Sequence, residues 1–294
     1  MSYIRSFRLP SRLQEDDFVL NDTRLDMQCY SDNVYPFKIF PSKELSWLTF
    51  SPITMLYGGN GSGKSTLLNV IAEKLKLERC APFNKTPYYE NFVARCEAET
   101  SGELPRDSRI ITSDDVFDHL LGLRGSNSEV EKRREELFEQ YRVYKDSSSP
   151  SWTMGSLEDL DELRDRNEAR HSTRSAYVAR RMANEVRSKS NGESAFDYFT
   201  SMIKGDALYL LDEPENSLSP KLQLELAAFI EQSARFYGCQ FVISTHSPFL
   251  LAMRGVKIYD LDSVPVSVKK WSELENIRTY FEFFEAHRES FYEN

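Results

Sequence analysis

Long apolar runs are missing from this chain. None exceeds five residues, as at 207–211 and 249–253. A membrane-spanning helix needs roughly 20, so no span is expected. The opening MSYIRSFRLP has neither an apolar stretch nor a small-residue cleavage site, and no secretory leader is expected. Cysteine is scarce: residues 29, 80, 96 and 239 form no CxxC pair, and no Cys/His cluster has zinc spacing. That excludes a disulfide scaffold or zinc ribbon and implies reduced thiols in a cytoplasmic protein. Glycine and proline, 12 each in 294 residues, are too few for a collagenous or low-complexity chain. Cations are outnumbered 37 to 46, and the net charge of −9 argues against a nonspecific nucleic-acid coat while leaving room for a local basic face.

What is present is strand–helix alternation. Ile53 to Tyr57 reads as a buried strand entering a glycine cluster, and apolar spacing from Lys64 onward predicts a helix. Short strands are expected at 37–40, 45–50 and 109–112, and 80–108 reads as irregular. Ser113 and Asp114 are good caps for a helix start, and further polar helices are predicted at 129–144, 157–166 and 173–189. Buried strands return at 207–211, 240–244 and 256–261, with helices from Pro220 and Pro248 and an aromatic one over 272–292. Apolar strands alternating with helices predict an α/β fold with a mostly parallel sheet covered on both faces.

Gly58, Gly59, Asn60, Gly61, Ser62, Gly63, Lys64 and Ser65 fit GxxxxGK[ST], with Thr66 following. The glycines let backbone N–H groups curl around phosphate oxygens, and the following helix adds its positive end. Lys64 is expected to neutralise β/γ-phosphates and the Ser65 hydroxyl to bind Mg²⁺. Asp212 and Glu213 stand just past the buried strand that ends at Leu211, at the ligand edge of such sheets. Asp212 there can hold Mg²⁺ directly or through water, and Glu213 can orient or deprotonate an attacking water. His246 follows the next buried strand and could reach the γ-phosphate or the water.

These pieces, in this order, resemble the ABC-type ATPase superfamily. The matches are the phosphate loop, Ser190-Asn191-Gly192-Glu193 as a variant signature loop, Leu211-Asp-Glu-Pro214 as Walker B, Asn216-Ser-Leu-Ser219 as the D-loop and His246 as the switch histidine. The forms around Ser190 and Ser244-Thr-His-Ser-Pro look like the soluble, non-transporter branch: small predicted AAA/ABC ATPases and RecF/SMC-like and phage-defence ATPases. The resemblance implies a P-loop NTPase head with a parallel-rich sheet, antiparallel N-terminal strands and an inserted helical lobe. It implies one domain over 1–294, with core segments 1–112 and 191–262, the lobe at 113–190 and an aromatic helix at 263–294. It also implies Mg²⁺-dependent ATP hydrolysis in a homodimer, the Ser190 hydroxyl and Gly192 N–H of one copy meeting the γ-phosphate held by the other. Departures are Ser219 where Asp is usual, Glu193 where Gln is usual, and no Q-loop glutamine. Ser113 or Asp114 is left to fill the last role, the alternative being that both only cap a helix. No upstream aromatic is assignable to adenine.

The chain carries no recognisable effector chemistry, so a separate partner such as a nuclease or toxin is expected in a defence or DNA-maintenance setting. A scaffold holding that partner with slow hydrolysis is the alternative. A transporter subunit is disfavoured by the missing Q-loop. Arg164, Arg166, Arg170, Arg174, Arg180, Arg181 and Arg187 read as a solvated face or a nucleic-acid dock. Asp114, Asp115, Asp118 and His119 have metal-nuclease residue types but no second acidic cluster, and His171 and His287 read as surface residues. The aromatics at 280–292 are expected to pack on their own domain, the alternative being a sticky surface.

Overall fold

Ile53–Tyr57, Leu208–Asp212 and Gln240–Ser244 are apolar at most positions, and only a sheet covered on both faces can bury them throughout. The computed structural model describes residues 2–21, 34–145 and 190–292, with Asp165, Ala169, Tyr177 and Val178. The expected helices at 157–166 and 173–189, Cys29, His171 and the seven arginines lie outside the described residues. In chain order the elements are β1 (Ile4–Arg8), α1 (Arg12–Asn21), β2 (Trp47–Thr49), β3 (Ile53–Tyr57), α2 (Lys64–Leu75), α3 (Tyr89–Arg95), β4 (Glu97–Thr100), β5 (Arg109–Thr112) and α4 (Ser113–Lys145). There follow α5 (Asn191–Met202), β6 (Leu208–Asp212), α6 (Pro220–Phe236), β7 (Gln240–Ser244), α7 (Pro248–Leu251), β8 (Lys257–Asp260), β9 (Ser267–Lys269) and α8 (Glu275–Ala286).

Two sheets result. One runs β5-β6-β7-β3-β8-β9, parallel except for the edge strand β9; the other is antiparallel, in the order β2-β1-β4. Register places Thr112 opposite Asp212, Asp212 opposite Ser244, and Leu56 opposite Ser244, so the carboxyl ends of four strands share one edge. Helix α2 buries Leu67, Leu68, Val70 and Ile71 in a core with Leu56, Ile110, Leu210 and Val242. Fully buried Gln240 joins the two sheets. Its Oε1 accepts from Tyr3 N (2.6 Å) and Ile4 N (2.9 Å), and its Nε2 donates to Ile4 O (2.9 Å) and Ser51 O (3.2 Å).

By its contacts the chain divides into two units, Met1–Phe117 with Ser190–Asn294, and Asp118–Lys189. Within the second, Leu137, Tyr141, Ala169, Tyr177 and Val178 form a small core.

Four expectations need correction. Residues 35–40 form turns, not a strand: Lys38 has φ 68°, its N–H donates to Glu15 Oε2 at 2.6 Å, and Phe37 and Phe40 are buried on the same side of the turn as Phe92. The stretch 80–108 holds α3, anchored by buried Tyr89 and Phe92, and β4, whose polar residues pair with β1. Residues 113–145 form a single helix of 33 residues, continuing through Gly122. The C-terminal aromatics do not pack inward. Helix α8 buries Ile277, while Tyr280, Phe281, Phe283, Phe284, Phe291 and Tyr292 are 49–75% exposed.

Candidate active site

The turn after β3 takes positive φ at Gly61 (79°) and Gly63 (95°), a region open to glycine at no steric cost. A Cβ on Gly63 would come within 3.2 Å of Ile39 Cγ2, so the 35–40 turn backs the loop. Gly59 N donates to Asp262 Oδ2 at 2.6 Å, and Tyr35 OH and Thr66 Oγ1 are 3.1 Å apart, fastening the loop on two further sides. Gly58 leaves no room for a side chain, because its Cβ would meet Ser62 Oγ at 2.6 Å. Asn60 and Gly61 are exposed, and the loop ends where α2 begins, at Lys64.

Lys64 is 4% exposed. Its Nζ donates to Gly58 O (2.8 Å) and Gly59 O (3.3 Å), and lies 2.8 Å from His246 Nε2 and 3.7 Å from Glu213 Oε1. His246 Nε2 is also 3.4 Å from Glu213 Oε1, so the position of the imidazole proton decides which contact is a hydrogen bond. The His246 imidazole, the Asn216 amide (3.1 Å) and the Lys64 ammonium hold the Glu213 carboxyl down at about 2 against the opposing effect of burial. Glu213 is therefore ionised at neutral pH. Its backbone turns left-handed, with φ 48°, and its N–H donates to Ser244 O at 3.0 Å.

Ser65 Oγ donates to Asp212 Oδ1 at 3.1 Å, and Ser244 Oγ donates to the same oxygen. Burial pushes the Asp212 carboxyl up, while those two hydroxyls pull it down. A hydroxyl and a carboxylate side by side are hard oxygen donors, the set that suits Mg²⁺. They open on a cavity of about 380 Å³, lined also by Asn69, Asn84, Thr112, Ser113, Asp114 and Glu213. Both Ser113 and Asp114, the candidates for the missing Q-loop role, thus line the same cavity as Ser65 and Asp212. Asp115 does not: it is buried and takes Thr112 N, Thr112 Oγ1 and Ala81 N as a helix cap. Among the described residues no three His, Cys, Asp or Glu side chains cluster as a metal site.

Ser190 caps α5. Its Oγ donates to Glu193 Oε2 (2.8 Å) and accepts from Glu193 N (3.3 Å), a closed capping box. Ser190 and Asn191 are exposed, and Gly192 packs so tightly that its Cβ would lie 3.1 Å from Ser217 O. The structure therefore brings Lys64, Ser65, Asp212, Glu213 and His246 together, and sets 190–193 on an exposed turn beside 216–217. Asp262 and Glu215 do not stand out in the sequence, whereas Asn216 opens the D-loop match. The signals for Asp262 and Glu215 were the carboxylates after β8, at the same sheet edge, and the polar run after Walker B.

A family model described as "AAA domain, putative AbiEii toxin, Type IV TA system" matches residues 83–252, more than half of the chain. The match begins beyond the phosphate loop and takes in 190–193, Asp212, Glu213 and His246. No curated protein sequence matches. Among solved structures, the chain is similar to a dimeric ATP-binding cassette in a post-hydrolysis state bound to ADP and Pi. The identity is 17% and the TM-score 0.37, covering 78% of this chain and 90% of that one. It is also similar to the Smc head domain with an extended coiled coil bound to the C-terminal domain of ScpA, derived from Pyrococcus furiosus. There the identity is 15% and the TM-score 0.43, covering 98% of this chain and 100% of that one. Among the described residues no helix is long and apolar enough to cross a membrane.

Proposed function

The chain belongs to the AAA-domain family of AbiEii type, with the mostly parallel sheet and phosphate loop of an ABC-type P-loop ATPase, and from that premise we propose that it binds and hydrolyses ATP with Mg²⁺ at composite sites between two copies. The observation that carries this reading is the meeting of Lys64, Glu213 and His246 within 3.7 Å beside the Ser65–Asp212 pair.

Each group has a task its position suits. The loop amides and the N-terminus of α2 receive phosphate oxygens. Lys64 exchanges the carbonyls of Gly58 and Gly59 for β/γ-phosphate oxygens. Ser65 and Asp212 would hold Mg²⁺, which would supply charge neutralisation at the phosphates. Released from Lys64, ionised Glu213 orients or deprotonates the attacking water, and His246 hydrogen-bonds the γ-phosphate or that water. Ser113 or Asp114, lining the same cavity, would take the role of the missing Q-loop glutamine.

On this reading the Ser190 hydroxyl and the Gly192 N–H of one copy cap the γ-phosphate held by the other, and hydrolysis parts the two. Molar mass in solution tests this. Glu213→Gln should dimerise with ATP and hydrolyse at least about a hundredfold more slowly than wild type. A variant that hydrolyses at the wild-type rate refutes the assignment of the base.

A second reading is a slow ATP-binding scaffold in the cytoplasm that holds a separate effector such as a nuclease or toxin. The toxin–antitoxin wording of the family description favours it. Co-purification of a partner, lost on adding ATP or on Lys64→Ala, separates the two readings.

A further inference from the structure

Three residues past β6, the Glu215 carboxylate reaches the segment that follows β7. Its Oε1 accepts from His246 N at 2.5 Å and from Ser247 N at 3.2 Å. A second tie runs beside it: Ser247 Oγ donates to Gln223 Oε1 (2.7 Å), and Gln223 Nε2 donates to Leu218 O (2.9 Å). The 213–219 segment is braced internally by Asn216 N to Glu213 O (3.1 Å) and Leu218 N to Glu215 O (3.0 Å). Its outer side meets Gly192 at Ser217 O, and Asn216 and Ser217 are exposed like Ser190 and Asn191. One short segment therefore touches the Glu213 carboxylate through Asn216, the backbone of His246 through Glu215, and the 190–193 turn through Ser217.

We infer that Glu215 is a positioning residue: by gripping the backbone N–H groups of His246 and Ser247 it sets the imidazole against Lys64 and Glu213, and it carries displacements of the exposed 190–193/216–217 edge to that imidazole. One carboxyl oxygen shared by two amides is a directional restraint whether or not the carboxyl is ionised, and burial pushes that carboxyl up. Asp212 is fixed by sheet register opposite Ser244, whereas His246 lies two residues past the last pair of β7, where the Glu215 carboxyl holds its backbone N–H. A second copy docking at 190–193 would thus be felt at the reacting centre through the packing of Gly192 on Ser217 and the hydrogen bonds of the 213–219 segment. The inference rests on the ATP-hydrolysis reading above.

The test is steady-state ATP hydrolysis by Glu215→Ala and Glu215→Gln in wild-type and His246→Ala backgrounds. Glu215→Ala should lower kcat roughly 10- to 100-fold, the cost of a misplacement of about 1 Å, with KM changed less than about threefold. Glu215→Gln keeps the acceptor oxygen and should restore kcat to within about threefold. In the His246→Ala background the Glu215→Ala change should cost less than about twofold, because the group it positions is gone. Full activity in Glu215→Ala, or an undiminished cost in the His246→Ala background, overturns the clamp. Should Glu215→Ala fail to fold, Gln223→Ala removes the parallel tie and must show the same dependence on His246. Failure of the underlying reading looks different: the wild-type chain would show no Lys64-dependent binding of a fluorescent ATP analogue.

Discussion

Replacing Glu15 by Gln should make the protein more stable at neutral and alkaline pH and leave it nearly unchanged in acid. Glu15 on α1 is 1% exposed; its Oε2 accepts from Lys38 N at 2.6 Å, and its Oε1 is buried without a hydrogen-bond partner among the described residues. Desolvation raises its carboxyl from an ordinary 4.5 to about 7, with the Lys38 N–H opposing in part. The unfolded chain sheds this proton near 4.5 and the folded chain keeps it to about 7. Unfolding therefore releases a proton in that window, and stability falls as pH rises through it. At roughly 1.4 kcal/mol per pH unit the loss is up to about 3 kcal/mol, complete above about 7. Glutamine keeps the carbonyl for Lys38 N and has no proton to lose. Urea denaturation of both proteins from about pH 5 to about pH 8 measures the difference directly. The variant should gain about 2–3 kcal/mol at the alkaline end and differ by under about 1 kcal/mol at the acid end. A difference that stays constant across the range, or a variant less stable at about pH 8, would refute the reasoning.

Gln240→Leu strands the Tyr3 and Ile4 amides and should cost about 2–4 kcal/mol, read as a lowered thermal midpoint with ATP affinity unchanged in the fraction that remains folded. Gly63→Val forces a β-branched residue into φ 95° against Ile39 and should weaken ATP binding at least about tenfold by titration calorimetry. Lys64→Ala should do the same with the fold intact, checked by circular dichroism. Phe281→Ser with Phe284→Ser, both exposed, should change stability by under about 0.5 kcal/mol while reducing binding of a hydrophobic dye.

The parallel sheet was readable because its strands are buried on both faces and so are continuous in apolar residues; β3, β6 and β7 lie within a residue of their expected bounds. The phosphate loop was readable because its glycines serve backbone geometry, a local property. Strand β4 was not readable: Glu97-Ala-Glu-Thr carries no apolar alternation, and its pairing is dictated by β1, far away in sequence. The 35–40 turn looks like a strand locally. It is made by a carboxylate 23 residues upstream and by burial of Phe37 and Phe40. Helix α4 defeats its two-helix reading because Gly122 and Gly125 cost a helix only about 1 kcal/mol each and do not break it. The clamp at Glu215 joins a side chain to backbone amides, which residue types do not mark.

The left-handed backbone at Glu213 also narrows how this protein can change over generations. A valine or isoleucine at that position would have to hold φ near 48°, at a cost of roughly 1–2 kcal/mol in addition to any effect on the activity proposed above. Glycine, asparagine and aspartate tolerate the turn. Any of those three could replace Glu213 without backbone strain, so a loss of the proposed activity there need not carry a loss of fold.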